Sequence, residues 1–260
     1  MIPKEYDAPS VFTPEGLLRE ARRQKNLAAG SIPSVCLLDP DGDIVRQLRV
    51  RDLATLCPLW ACYHTDLYRF TWEGIEMGVV GCAVGASFAT LVAEQLFASG
   101  CKLLISVTSS GQITPVQEPP YFILIEYALR DEGTSLHYLP PSEYSEIRPE
   151  LLRLLEEAQK QLAVEAFALV RGTTWTTDAP FRETESAIAS AKRAGILAVE
   201  MEAAALYAFA QARQKTVICI AHVTNQMASI EGDFEKGEAD GLHEALRVVE
   251  VIARLARTQV

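Results

Sequence analysis

The sequence predicts one α/β domain built on a central mixed, twisted sheet flanked by helices. Three observations predict it. Apolar runs of strand length, over residues 34–38, 102–107 and 216–223, alternate with longer segments of helical period, over 17–24, 88–98 and 242–256. Polar loops bearing Gly, Pro or hydroxyls follow those strands, at the ends where α/β proteins place ligands. The chain has 260 residues, 49% of them hydrophobic, enough for one large core.

Residues 1–32 read as an arm and a helix ahead of a domain over 33–260. Thr13 caps that helix and Pro14 opens it, because its fixed φ and missing N–H suit a first turn. The run Gly30 to Pro33 breaks the chain. A short buried strand over 34–38 ends in the turn Asp39-Pro40-Asp41-Gly42-Asp43, either a ligand loop or an ordinary turn. Residues 68–72 and 77–82 are the arms of a hairpin turned at Glu73-Gly74. Val84-Gly85-Ala86-Ser87 opens a helix over 88–98, and free N–H groups at such an opening can hold an anion. The strand over 102–107 runs into Thr108-Ser109-Ser110-Gly111, an anion or sugar cradle or else a capped turn. Leu152, Leu155, Ala158 and Leu162 fall on one side of a helix over 149–162. A strand follows over 167–174, then a helix over 184–192 closed by Gly195 and a helix of small residues from Ala203. The central strand over 216–223 ends in Thr224-Asn225-Gln226. A polar loop over 227–241, a candidate lid, leads to the closing helix.

The net charge of −10 argues against a nucleic-acid-binding surface, which needs clustered Lys and Arg, but not against a small anion held in a local pocket. The six cysteines show no CxxC spacing and sit mostly among apolar residues, as reduced thiols of a cytosolic protein do. His64, His137, His222 and His243 lack ligand spacing, so no metal is expected, and there is no P-loop. The start Met1-Ile2-Pro3-Lys4-Glu5 has no apolar signal core, and no apolar run reaches spanning length. The expectation is a cytoplasmic protein without membrane contact.

The stretch 198–207 places Glu200 and Glu202 inside an apolar run. Burying a carboxylate costs several kcal/mol unless it is paired or hydrogen-bonded. These acids are therefore satisfied internally or have a ligand. Two residues apart, they would face different ways on a helix and fit better at a strand end or helix start. The plain alternative is an amphipathic helix with acids in its first turn. The run Val199-Glu200-Met201-Glu202-Ala203-Ala204-Ala205 closely resembles the signature of the nucleoside phosphorylase superfamily, which contains purine nucleoside phosphorylase, uridine phosphorylase and methylthioadenosine nucleosidase. The resemblance extends over most of residues 33–257 and implies a partly barrel-like sheet. It implies that Glu202 binds the ribose hydroxyls, that Met201 packs on the sugar and that Glu200 supports the site. A carboxylate can accept two hydrogen bonds from a vicinal diol, which suits the first of these roles.

Carried over position by position, the resemblance is uneven. The family's Gly-Asp-Pro-x-Arg phosphate loop matches at Asp39-Pro40-Asp41, but Leu38 stands for its Gly and Gly42 for its Arg. Its Gly-Ile-Gly turn keeps only Gly85. In its Arg-x-Gly-Thr-x-Gly motif Ser106 replaces the Arg and Thr108 the first Gly, Ser109 keeps the hydroxyl and Gly111 is retained. Phosphate would thus fall to Ser109, Thr108 and Gly85. Some members send an Arg from the first hairpin arm to a neighbour; here Tyr63-His64-Thr65 stands in that region and the nearest Arg is Arg69. Residues 130–140 resemble a uridine phosphorylase segment, with His137 as a catalytic acid/base or a structural residue. In the base-recognition run Asp178 matches the family's acid, Pro180 replaces its Phe and Phe181 its Tyr. Phe181 would stack on a base and Arg182 donate to it, or the two would serve in packing and in a surface ion pair with Glu183 or Glu185. Asn225 matches the family's Asn, and Gln226 replaces its Arg.

The leading expectation is uridine-type phosphorolysis, with orthophosphate as co-substrate and no cofactor, giving free base and ribose 1-phosphate. Glu202 and Asn225 would be its catalytic residues and Phe181, Arg182 and Asn225 its base site. One alternative is a nucleosidase, which needs no phosphate arginine but needs a base for water, with Glu200, Glu202 and Asp41 as candidates. The other is a non-catalytic nucleoside-binding homologue. The family also implies a homo-oligomer, dimer to hexamer.

Overall fold

The computed structural model describes residues 3–165, 167–227, 231 and 233–257. The chain runs α1 (Pro14–Lys25), β1 (Val35–Asp39), α2 (Asp43–Val50), β2 (Ala54–Leu56), β3 (Tyr68–Trp72), β4 (Ile75–Gly81), α3 (Ala86–Ala98), β5 (Leu103–Gln112), β6 (Tyr121–Asp131), β7 (Tyr144–Glu146), α4 (Leu152–Val164), β8 (Leu169–Thr177), α5 (Glu185–Arg193), β9 (Ala198–Glu200), α6 (Ala203–Arg213), β10 (Thr216–Asn225) and α7 (Leu242–Arg257). All the strands join one mixed sheet in the order β10-β6-β8-β9-β5-β1-β4-β3-β2, with β7 on β6. A further pairing of β10 with β5 closes β5, β9, β8, β6 and β10 into a ring. The sheet is therefore partly a barrel, with β1, β4, β3 and β2 as an open wing.

Parallel strands covered on both faces read as near-continuous apolar runs. β1 is buried at every residue and β10 at all but its first. β1 lies parallel to both β4 and β5, and β5 parallel to β10. These pairings gather the ends of β1, β5 and β10 on one rim. α6 is buried from Ala203 to Ala210, because it packs on α3 on one side and on β6 and β10 on another. Its Tyr207 hydroxyl donates to the Ile125 carbonyl (2.6 Å) and accepts from the Cys219 amide (3.0 Å), joining β6 to β10. Ile125 is where β6 shifts register against β8. α1 docks on α3 around Leu18 and Ala21.

The local signals held. Thr13 accepts from the Gly16 amide as the cap of α1, and Glu73-Gly74 turns the β3–β4 hairpin with both residues at positive φ; Thr184, expected as the first residue of α5, is its cap. One expectation fails: Thr108-Ser109-Ser110-Gly111 is not a loop. β5 continues through it to Gln112, because β10 pairs with it along its whole length. The helix α2 was not anticipated behind the turn at Asp39. Of the polar loop expected over 227–241, residues 228–230 and 232 lie outside the described residues. Among the described residues, no helix is long and apolar enough to cross a membrane.

Candidate active site

Glu200 ends β9, and Glu202 stands at the N-terminal boundary of α6 without capping it through its side chain. The first N–H groups of a helix have no partner within it and favour negative charge. Glu200 meets that need. One of its oxygens accepts from the amides of Glu202 and Ala203, both at 2.7 Å, and the other from the hydroxyls of Thr176 (2.5 Å) and Thr174 (3.1 Å). Burial pushes its carboxyl above the usual carboxylate range, and the four donors pull the other way. Glu202 is only 1% exposed. Its Oε1 accepts from the Gly85 amide (2.6 Å), at the start of α3, and its Oε2 from the Thr108 hydroxyl (2.9 Å). Burial first, then the charge of Glu200, push it up to about 8.

Asp41 stands on the loop after β1, with its Oδ2 accepting from the Ser109 amide at 2.7 Å. Of the groups expected to hold phosphate, Gly85 and Thr108 are therefore engaged, and Ser109 through its amide; among the described residues its hydroxyl, the group the resemblance carried over, is in no hydrogen bond. The N–H of Gly85 and the hydroxyl of Thr108 serve Glu202, and the N–H of Ser109 serves Asp41. The missing arginine of this loop also has a physical reason. Gly42 sits at φ +79°, and a Cβ there would stand 2.6 Å from the Cys82 Sγ. Asp39 accepts from the Val45 amide (2.9 Å) in the first turn of α2 and is pushed up to about 7, mainly by burial.

These parts border a cavity of about 420 Å³ at the ends of β5, β9 and β10. Ser109, Glu200, Met201, Phe181 and Asn225 line it, as the sequence leads one to expect. Thr108, Gly85, Glu202 and Arg182 do not, although Glu202 adjoins Met201 in the chain. Hollows of about 530 and 540 Å³ lie beside the β2–β3 hairpin and behind the β1 loop, but neither gathers strand ends. Asn225 reaches the rim because β10 shifts register between Val223 and Asn225, a bulge that sets it opposite Gly111. Its Oδ1 accepts from the Met227 amide (3.0 Å), and its Nδ2 donates to the Ser110 carbonyl (3.3 Å). A side chain at position 111 would meet the Met227 Sδ and the Asn225 Oδ1.

Several expected residues sit elsewhere. Phe181 is fully exposed at the cavity mouth. Arg182 is exposed, and among the described residues no ion pair joins it to Glu183 or Glu185. Asp178 accepts from the Gly133 amide at 2.9 Å and so ties two loops together. His137 is exposed beside the Lys4 ammonium and does not line the cavity. Arg130 donates to Ser135, Leu139, Pro140 and Ser142 and holds that loop in shape. Arg69 pairs with Glu76 on the hairpin. The sequence reading placed Ser110 in the expected cradle but missed Glu183, Met227, Phe234 and Lys236 as lining residues. Glu183 had a signal, since it follows the predicted base run directly. Lys236 pairs with Asp43, and Asp43 also with Arg46. Among the described residues, no group of acids, His and Cys is placed to hold a metal.

A model of the phosphorylase superfamily matches residues 47–257. Among curated proteins the chain is 23% identical over 219 residues to a guanosine phosphorylase of Halorubrum lacusprofundi, covering 80% of this chain and 88% of that one. It is 26% identical over 201 residues to a uridine phosphorylase of Thermococcus kodakarensis, covering 73% and 70%. It is 26% identical over 217 residues to a DeoD-type purine nucleoside phosphorylase of Exiguobacterium sibiricum, covering 79% and 87%. Among solved structures, the fold is similar to that of a uridine phosphorylase from Vibrio fischeri ES114, with a TM-score of 0.72 at 20% identity over 87% of this chain and 92% of that one.

Proposed function

Because this chain belongs to the phosphorylase superfamily, we propose that it cleaves the N-glycosidic bond of a nucleoside, and that the group capturing the sugar is water. The nucleoside is supported by the relatives, whose names specify guanosine, uridine and purine nucleosides. Water is supported by one observation above all: the Ser109 amide already holds the carboxylate of Asp41. A phosphate there would have to displace that acid. It would also sit beside Asp41, with Lys236, itself paired with Asp43, on the cavity wall. Like charges at such range are repulsive in a partly buried site.

The same charge suits the sugar. As the bond to the base breaks, C1′ and the ring oxygen take on positive charge, and the Asp41 carboxylate on the cavity wall stabilises it. Met201 is the platform for the ribose face. Glu202, behind Met201 and off the cavity wall, is held by the Gly85 amide and the Thr108 hydroxyl and backs that platform. Asp41, oriented by the Ser109 amide, takes the proton of the attacking water. Glu200 fixes the turn that presents Met201 and Glu202.

Product analysis of the purified chain with a nucleoside panel tests this. The expected result is free ribose at a rate that does not depend on phosphate, with Asp41→Asn slower by about 10²-fold or more. The phosphorolysis favoured from sequence remains the competing outcome, and the relatives carry phosphorylase names. Ribose 1-phosphate formed only with phosphate present would establish it and refute the role of water.

A further inference from the structure

Departure of the base requires that its charge be neutralised, and the cavity has to supply a proton for a poor leaving group. Asn225 occupies the end of β10 but has no acidic proton. Three carboxyl side chains line the cavity: Asp41, Glu183 and Glu200. Asp41 is held by the Ser109 amide, and Glu200 accepts from four donors. Among the described residues, no side-chain hydrogen bond and no ion pair engages the Glu183 carboxyl. It follows the Pro180–Arg182 turn, beside Phe181 at the cavity mouth.

We propose that Glu183 is the general acid that protonates the departing base. The inference rests on the proposed glycosidic cleavage and adds the proton donor that this chemistry would otherwise lack. The step balances. The C1′–N bond breaks with its electron pair going to the base. The Glu183 carboxyl gives its proton to a ring nitrogen of the base and becomes a carboxylate. Water adds to C1′ and loses a proton to Asp41. Exchange with solvent then returns Asp41 and Glu183 to their starting forms, leaving ribose and neutral base. Glu183 is equipped for this, because partial burial alone pushes its carboxyl up to about 7. The charged groups around the cavity are Asp41, Glu200 and Lys236. Arg182 and Glu185 flank Glu183 in the chain and are exposed.

The test compares wild type with Glu183→Gln on two kinds of substrate. Natural nucleosides need protonation of the base, whereas p-nitrophenyl β-ribofuranoside releases a stable phenolate without it. The expected result is a fall in kcat of about 10²-fold or more on nucleosides, with little change in KM. The p-nitrophenyl riboside should be cleaved at close to the wild-type rate, which also shows that the variant is folded. The loss of wild-type activity on nucleosides above about pH 7 should disappear in the variant. Nucleoside cleavage by Glu183→Gln at the wild-type rate would overturn the assignment while leaving the reaction intact. An equal loss on both substrates would overturn it too, by making Glu183 a structural residue. A wild-type chain that cleaves neither substrate would refute the reaction itself, and the role of Glu183 with it.

Discussion

Replacing Glu202 by Gln is expected to stabilise the fold at neutral pH and above while impairing activity. The Glu202 carboxyl is pushed from 4.5 to about 8, a rise of about 3.5. An acid whose pKa is higher in the folded state holds its proton there longer than in the unfolded chain. Between pH 4.5 and about 8 the unfolded state therefore binds fewer protons, and stability falls as pH rises. At 1.36 kcal/mol per unit, the penalty is about 3 kcal/mol at pH 7 and about 5 kcal/mol once the pH is well above 8. Glutamine avoids it and fits the contacts. Its carbonyl can accept from the Gly85 amide, and its NH₂ can donate to the Thr108 hydroxyl, which turns to accept. Urea unfolding of both proteins at about pH 4, 7 and 9 measures the difference. The variant should gain little at the acid end and progressively more towards the alkaline end. Parallel pH dependence in the two proteins, or a wild type that is the more stable at alkaline pH, would refute the reasoning.

Other substitutions probe the frame of the site. Gly42→Arg, which restores the family's arginine, should destabilise by at least about 1–2 kcal/mol from the left-handed backbone alone, with a further clash on Cys82. It should not confer phosphate dependence; thermal melts and product analysis check both. Tyr207→Phe strips a partner from the Ile125 carbonyl and the Cys219 amide. The urea midpoint should fall by the equivalent of about 1–3 kcal/mol with the slope unchanged. Gly111→Ala sets a methyl 2.3 Å from the Met227 Sδ and 3.2 Å from the Asn225 Oδ1. The Met227 side chain can yield, whereas Asn225 is held by hydrogen bonds. kcat/KM should therefore fall much further than the melting temperature.

What the sequence made legible was local. Thr13-Pro14 and Glu73-Gly74 each act within a few residues of themselves, so the cap and the turn could be read directly. The signature at Val199–Ala205 is likewise one contiguous run, and it led to the family and to the partly closed sheet. The extent of β5 was hidden, because a run of Thr and Ser has no decisive preference of its own and its partner β10 lies a hundred residues on. The occupation of the anion donors was hidden for the same reason. The contact of Ser109 with Asp41 spans 68 residues, that of Thr108 with Glu202 spans 94, and that of Gly85 with Glu202 spans 117. Glu183 entered only as one of two alternative ion-pair partners for Arg182, since adjacency in sequence says nothing of which side chain turns into a cavity.

Those long-range contacts bear on why the arginines are missing. A phosphate site is a set of N–H and O–H donors backed by cations. Removing only the cations would leave the donors of Gly85, Thr108 and Ser109 facing one another's positive ends, and an unsatisfied buried donor costs about 1–3 kcal/mol. Asp41 and Glu202 satisfy them instead. Gly42, fixed by its positive φ and by Cys82, then closes the place from which an arginine would return. Recovering a phosphate site would thus take several coordinated changes: a neutral residue at 41, a backbone and a neighbour that admit a long side chain at 42, and a cation facing Ser109. Under the hydrolysis proposed, Asp41 lies on the cavity wall, where a carboxylate stabilises the positive charge that forms on the sugar as the base departs.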